Sequence, residues 1–131
     1  MARDLPLVYA CSGCSSVAQL ANEMALGLDR AGRAEMSCIS GVGGGVPALV
    51  RLARSGRPIL ALDGCALACV KACLRQAGVV PDCHLVLNAL GARKRLHADC
   101  SEDEQARVSE AVDEALRALG TACTSSAARL P

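Results

Sequence analysis

The residues in this chain that could do chemistry are its cysteines, and two groups of them stand where sulfur chemistry is natural. Cys11-Ser12-Gly13-Cys14 follows an apolar run (Leu5, Leu7, Val8, Tyr9, Ala10) and precedes an amphipathic segment that begins at Ser15. Asp63-Gly64-Cys65-Ala66-Leu67-Ala68-Cys69 follows Ile59, Leu60, Ala61 and Leu62 and repeats the arrangement. A strand that ends in cysteines at the mouth of a helix places sulfur where backbone N–H groups and the helix dipole favour negative charge. Thiolate is the form that binds metals or attacks disulfides. Two such junctions predict one four-sulfur site built from Cys11, Cys14, Cys65 and Cys69. The Cys-x-x-Cys pair can wrap a single ion, each thiolate reaching zinc at about 2.3 Å. Cys65 and Cys69 are four apart, and on a helix that spacing puts Cβ atoms about 5–6 Å from one another, near enough to share a tetrahedral ion. Cys73 lies two turns from Cys65, roughly 12 Å along a helix axis, and reads as helix core. Cys83, Cys100 and Cys123 read as small core hydrophobes. Cys38, near the end of a second strand, stays open between ligand and core because the alternation of faces cannot be phased there.

The elements that must position these sulfurs follow from hydrophobic period and punctuation. A near-continuous apolar strand over Leu5 to Ala10 suits a parallel strand covered on both faces. A helix over Ser15 to Arg30, capped by Ser15 or Ser16, carries Val17, Leu20, Ala21, Met24, Ala25 and Leu28 on one stripe and leaves through Gly32. A second strand runs from Glu35 to Ser40, and Pro47 opens a short helix to Ser55. A third strand covers Pro58 to Leu62, and the helix after it carries Leu67, Val70 and Leu74 and ends at Gly78. A fourth strand spans Cys83 to Asn88. The last helix opens on a Ser101–Glu104 capping box, shows Val108, Val112, Leu116 and Leu119 on one face, and stops at Gly120. Four strand-then-helix units predict one α/β domain over 1–120, with a flexible tail at 121–131. Its architecture is three layers, about four parallel strands in the order 2-1-3-4 with helices on both faces. In that order strands one and three are neighbours at the switch point, where ligands sit at the carboxyl ends of strands.

Composition narrows the function classes. The 131 residues are 52% hydrophobic, enough for a core without disulfide staples. The nine cysteines come without a recognisable signal peptide, so reduced thiols in the cytoplasm are expected. No apolar stretch approaches the roughly 20 residues that span a bilayer, and no membrane role is expected. A net charge of +1, from 14 basic and 13 acidic side chains, offers a polyanion no long-range field. Aromatic residues at 1% offer no stacking platform, so nucleic acid is not an expected partner.

Cys-Ser-Gly-Cys-Ser after the first strand, Met36-Ser37-Cys38 followed by Gly-Val-Gly-Gly, and Asp63-Gly64-Cys65 with a cysteine four residues on together resemble the DGC domain family, over about Tyr9 to His97. Its members are described as zinc-binding proteins. The resemblance implies zinc as cofactor, held by four chelating cysteines that fall here on Cys11, Cys14, Cys65 and Cys69. It implies no particular reaction, and metal sensing, delivery and thiol-based chemistry all fit it.

Other readings rest on the same residues. Cys-x-x-Cys beside a βαβ pattern also suits a dithiol–disulfide oxidoreductase, and four thiolates also suit an iron–sulfur cluster. Gly43-Gly44-Gly45-Val46-Pro47-Ala48 matches Gly-x-Gly-x-x-Ala, with Asp63 where a ribose-binding acid would stand, so Gly43, Gly44 and Gly45 are candidates for a nucleotide, anion or small-ligand turn. Cysteine-phosphatase chemistry is excluded, because the arginine it needs six residues after the nucleophile is Val17 counted from Cys11 and Leu20 counted from Cys14. His84 and His97 read as satisfied polar contacts, and Arg93-Lys94-Arg95 as a solvated loop.

Overall fold

A computed structural model describes residues 5–122, with side chains described through 119. Four parallel strands, β1 (Leu7–Ala10), β2 (Glu35–Met36), β3 (Ile59–Asp63) and β4 (Cys83–Val86), form one sheet in the order β2-β1-β3-β4. In register, Ala10 stands beside Leu62 across the central β1–β3 pair. Five helices cover the sheet: α1 (Ser16–Arg30), α2 (Ile39–Gly43), α3 (Pro47–Ala53), α4 (Cys69–Gln76) and α5 (Glu102–Ala122), with a 3-10 turn at Leu87–Leu90. The expected strand order and three layers are therefore observed.

Every residue of β1 and β3 is buried, and the strand period of two splits them between two cores. Val8, Ala10, Leu60 and Leu62 face Val17, Leu20 and Leu28 of α1 and Val108 and Val112 of α5. Leu7, Tyr9, Ile59 and Ala61 face Val42 of α2, Ala53 of α3, and Val70 and Leu74 of α4. Burying each such aliphatic side chain stabilises the fold by about 1.5–3 kcal/mol before entropy is counted. Ser15 caps α1 by accepting the Ala18 N–H at 3.2 Å. The Ser101–Glu104 box forms as expected, with Glu104 N donating to Ser101 Oγ at 3.2 Å and Ser101 N donating to Glu104 Oε1 at 2.8 Å.

Three expectations fail locally. The second strand stops at Met36 instead of Ser40, and Cys38 becomes the residue before α2. The missing side chains of Gly41 and Gly43 let α2 pack against Leu49 and Cys73, a closeness no strand would need. The helix after β3 starts at Cys69, because Cys65 to Ala68 form a tight turn, Ala68 N donating to Cys65 O at 3.1 Å, and Ala68 adopts a left-handed φ of 54°. The last helix continues through Gly120 to Ala122, and the expected tail lies outside the described residues from 123 on. Among the described residues, no helix is long and apolar enough to cross a membrane.

Candidate functional site

The site grows out of the central strand pair. Because β1 and β3 are parallel and in register, Cys11 leaves β1 still paired, its N–H donating to Leu62 O at 3.1 Å. Two residues on, just past the end of β3, the Gly64 N–H donates to Cys11 Sγ at 3.1 Å, which ties the first cysteine motif to the second. Gly64 must lack a side chain, since a Cβ there would stand 2.7–2.8 Å from the α1 backbone at Val17 and Ala18. Asp63 is 1% exposed and fully committed. Its carboxylate accepts the Val70 N–H at 2.8 Å and the Lys71 N–H at 3.2 Å, and His84 Nε2 lies 2.8 Å away. Ala68 holds the N-cap position of α4 but has no oxygen to offer, so Asp63 caps that helix from the strand. The triplet thus divides its labour: aspartate caps the helix, glycine admits α1, and cysteine presents sulfur at the sheet edge. With its oxygens spent in this way, Asp63 is no ribose ligand, which removes the acid from the dinucleotide reading. His84 has the satisfied contact expected of it.

The thiols at this edge sit in unlike surroundings. Cys11 is half-buried, and burial pushes its thiol up. The Gly64 N–H pulls the other way, while negative charge on Asp63, Cys69 and Cys65 adds to the rise, so these groups share one neighbourhood. Cys65 is half-buried, and Cys14 and Cys69 are exposed. The helical argument for a Cys65–Cys69 pair does not hold, since Cys65 precedes α4; the pair one turn apart on that helix is Cys69 and Cys73. Cys73 packs its sulfur against Gly43 of α2, and burial pushes its thiol up as well. Among the described residues, no three His, Cys, Asp or Glu side chains stand ready to hold a metal ion. The donor chemistry still suits a soft ion. Sulfurs come from both motifs, the exposed pair lies on loop and helix start, and an N–H already rests on one sulfur, as outer partners of thiolate ligands do.

Lys94 is the neighbour that sequence reasoning missed, its Nζ lying 3.5 Å from Cys65 Sγ. The basic run is a mostly exposed loop, as expected, but its backbone is held in place. Ser16 N donates to Arg95 O at 2.8 Å, and Ser16 Oγ donates to Arg93 O at 3.1 Å and accepts the Arg95 N–H at 2.7 Å. Glu104 holds the loop from the other side, accepting the Arg93 N–H at 2.7 Å and pairing with Arg95 Nη1 at 2.6 Å. The Arg95 guanidinium and the backbone N–H groups of Arg93 and Ser101 hold the Glu104 carboxyl down at about 2. The capping box was the available signal, because a glutamate that closes a box has oxygen lone pairs left over for a second loop.

Two further candidates lie elsewhere. Cys38 is exposed, so the core reading fails, and it borders a cavity of about 380 Å³ with Ser12, Met36 and Ser37. At the glycine turn, Gly45 (φ 76°) ends α2 with its N–H on Val42 O at 3.1 Å, and the Val46 N–H reaches Gly41 O at 2.9 Å. The Gly44 N–H is on Ser40 O at 2.9 Å.

The model of the DGC domain matches residues 7–112. A protein of Pseudomonas aeruginosa named "Anaerobic and virulence modulator AnvM" is 66% identical over 104 residues, 79% of this chain and 79% of that protein. No solved structure matches the chain.

Proposed function

Since the chain belongs to the DGC domain family, we propose that it binds one zinc ion through the thiolates of Cys11, Cys14, Cys65 and Cys69 at the carboxyl ends of β1 and β3. The observation that carries this reading is the Gly64 N–H on Cys11 Sγ at 3.1 Å, which makes the two cysteine motifs neighbours. Zinc, when bound, holds its ligands as thiolates and supplies a Lewis-acidic or releasable ion. Cys11 and Cys65 anchor the site from the strand ends, while the exposed Cys14 and Cys69 close it. Lys94, beside Cys65, offsets the negative charge of a thiolate complex. The two cores are complete without metal, so the ion serves a task other than holding the fold together. The name of the relative, which calls it an anaerobic and virulence modulator, supports a regulatory role for the bound ion over bulk turnover.

Metal analysis of anaerobically purified protein tests the proposal. About one equivalent of zinc in colourless protein is expected. Stoichiometric iron with visible absorption would replace zinc by a cluster. A second reading draws on one contrast, the exposed Cys14 three residues from the half-buried Cys11. Metal-free protein that forms a reversible Cys11–Cys14 disulfide would make it a dithiol oxidoreductase.

A further inference from the structure

On the face of the sheet away from α1 and α5, the end of α2, helix α3 and the end of α4 border a cavity of about 550 Å³. That volume lies in the range of about 300–1,000 Å³ typical of small-molecule sites. Val42, Pro47, Val50 and Ala77 give it apolar walls, and Gly43, Gly44 and Gly45 give it a wall of bare backbone. That backbone offers nothing to an anion, since the N–H groups of Gly44, Gly45 and Val46 are bonded to Ser40 O, Val42 O and Gly41 O. Charge at the cavity comes from side chains instead. Arg51 of α3 and Arg54, the residue that follows its last turn, both line it, and no acidic residue does. Among the described residues neither guanidinium has a hydrogen-bond or ion-pair partner, whereas Arg33, Arg57 and Arg95 each close on a carboxylate.

Two uncompensated guanidiniums beside apolar walls match one ligand chemistry. We propose that this cavity binds a small organic oxyanion, a carboxylate or phosphate monoester carried on one apolar ring or short chain. Its head group sits on Arg51 and Arg54, which offer planar, bidentate donors. Its body rests on Val42, Val50 and Ala77, which recover the apolar contact. No cysteine lines the cavity, so the proposal stands apart from the zinc reading and can fail or succeed without it.

Titrating ¹⁵N-labelled protein with benzoate and with phenyl phosphate tests it. Saturable shifts of the Gly44, Gly45, Val50 and Ala77 amides with either probe are expected, and the stronger probe identifies the head group. The neutral benzamide should bind at least about tenfold more weakly, and the Arg51→Gln/Arg54→Gln double variant should weaken the anion by a similar factor. Both arginines are exposed, so the variant should keep the wild-type melting temperature, which is checked in the same samples. Absence of saturable shifts at millimolar probe would overturn the proposal. So would an unchanged dissociation constant in the double variant, or shifts centred on Arg93 to Arg95.

Discussion

Two buried carboxylates stand at helix starts on either side of the thiol edge, Asp63 before α4 and Glu104 in the first turn of α5, and they do different work. Asp63 spends its oxygens on two N–H groups of α4, across the strand-to-helix connection that carries Cys65, and on His84 of the neighbouring β4. Glu104 closes the box on its own helix and uses the rest of its capacity on a distant loop, through Arg93 N and Arg95. One acid is a cap the fold needs, because Ala68 cannot cap. The other is a clamp that brings Lys94 to Cys65. The same residue chemistry thus builds the floor of the site in one case and its charged rim in the other.

Removing the cap should cost most. Asp63→Ala leaves two helix N–H groups and His84 without their acceptor in a buried setting, and a loss of about 3 kcal/mol by urea unfolding is expected. Asp63→Asn, which keeps an acceptor oxygen, should retain a measurable part of that stability. Gly64→Ala comes next. The new Cβ would meet backbone of α1, which cannot swing aside as a side chain would. A loss of about 1–3 kcal/mol is expected. A melting temperature unchanged by Gly64→Ala would show that α1 has room to move.

Chelation should do less to the fold than either substitution. Zinc supplies about 10–16 kcal/mol to small fingers that have no other core, and those unfold without it. Here two apolar clusters cover both faces of the sheet, so a chelator should lower the melting temperature and loosen 11–15 and 64–69 while the helical circular-dichroism signal survives. Collapse of that signal at room temperature would make the ion a staple.

The clamp predicts the smallest effect and the one most specific to pH. The Glu104 carboxyl is held at about 2 in the folded protein against an ordinary 4.5. Because the folded value lies below the unfolded one, the unfolded chain takes up the proton first as pH falls. The contribution of Glu104 is therefore fully present above 4.5 and is lost as pH drops toward about 2. Glu104→Gln should flatten stability against pH across that window and leave neutral-pH stability less affected than Asp63→Ala does. An equally steep acid limb in the variant would assign the effect to other carboxylates.

The same two acids show what the sequence can and cannot tell. The apolar runs before Cys11 and Asp63, the stripe of α1 and the Ser101–Glu104 box are local patterns, and the strand-then-helix alternation argues for a parallel sheet, which has the expected order β2-β1-β3-β4. That order puts the Cys11 and Asp63-Gly64-Cys65 junctions side by side, and the structure joins them through the Gly64 N–H on Cys11 Sγ. What could not be read depends on tertiary choice. Ala68 has no turn signal, yet its left-handed backbone delays α4 by four residues, and with that delay the helical pairing of Cys65 and Cys69 is gone. The run from Ile39 to Gly43 packs as helix because its glycines let Leu49 and Cys73 come close, a matter of partners further along the chain. Lys94 reaches Cys65 only because Ser16 and Glu104 grip its flanking residues.

The central claim, one ion joined by sulfurs from both strand ends, is tested most directly by cobalt(II) substitution followed by optical absorption. Four thiolates around a tetrahedral ion are expected to give intense sulfur-to-cobalt charge-transfer bands at one equivalent. Cys65→Ser should step that intensity down by about one thiolate of four, and Cys73→Ser should leave it unchanged. Intensity that is the same in wild type and Cys65→Ser, or that falls with Cys73→Ser instead, would contradict the assignment.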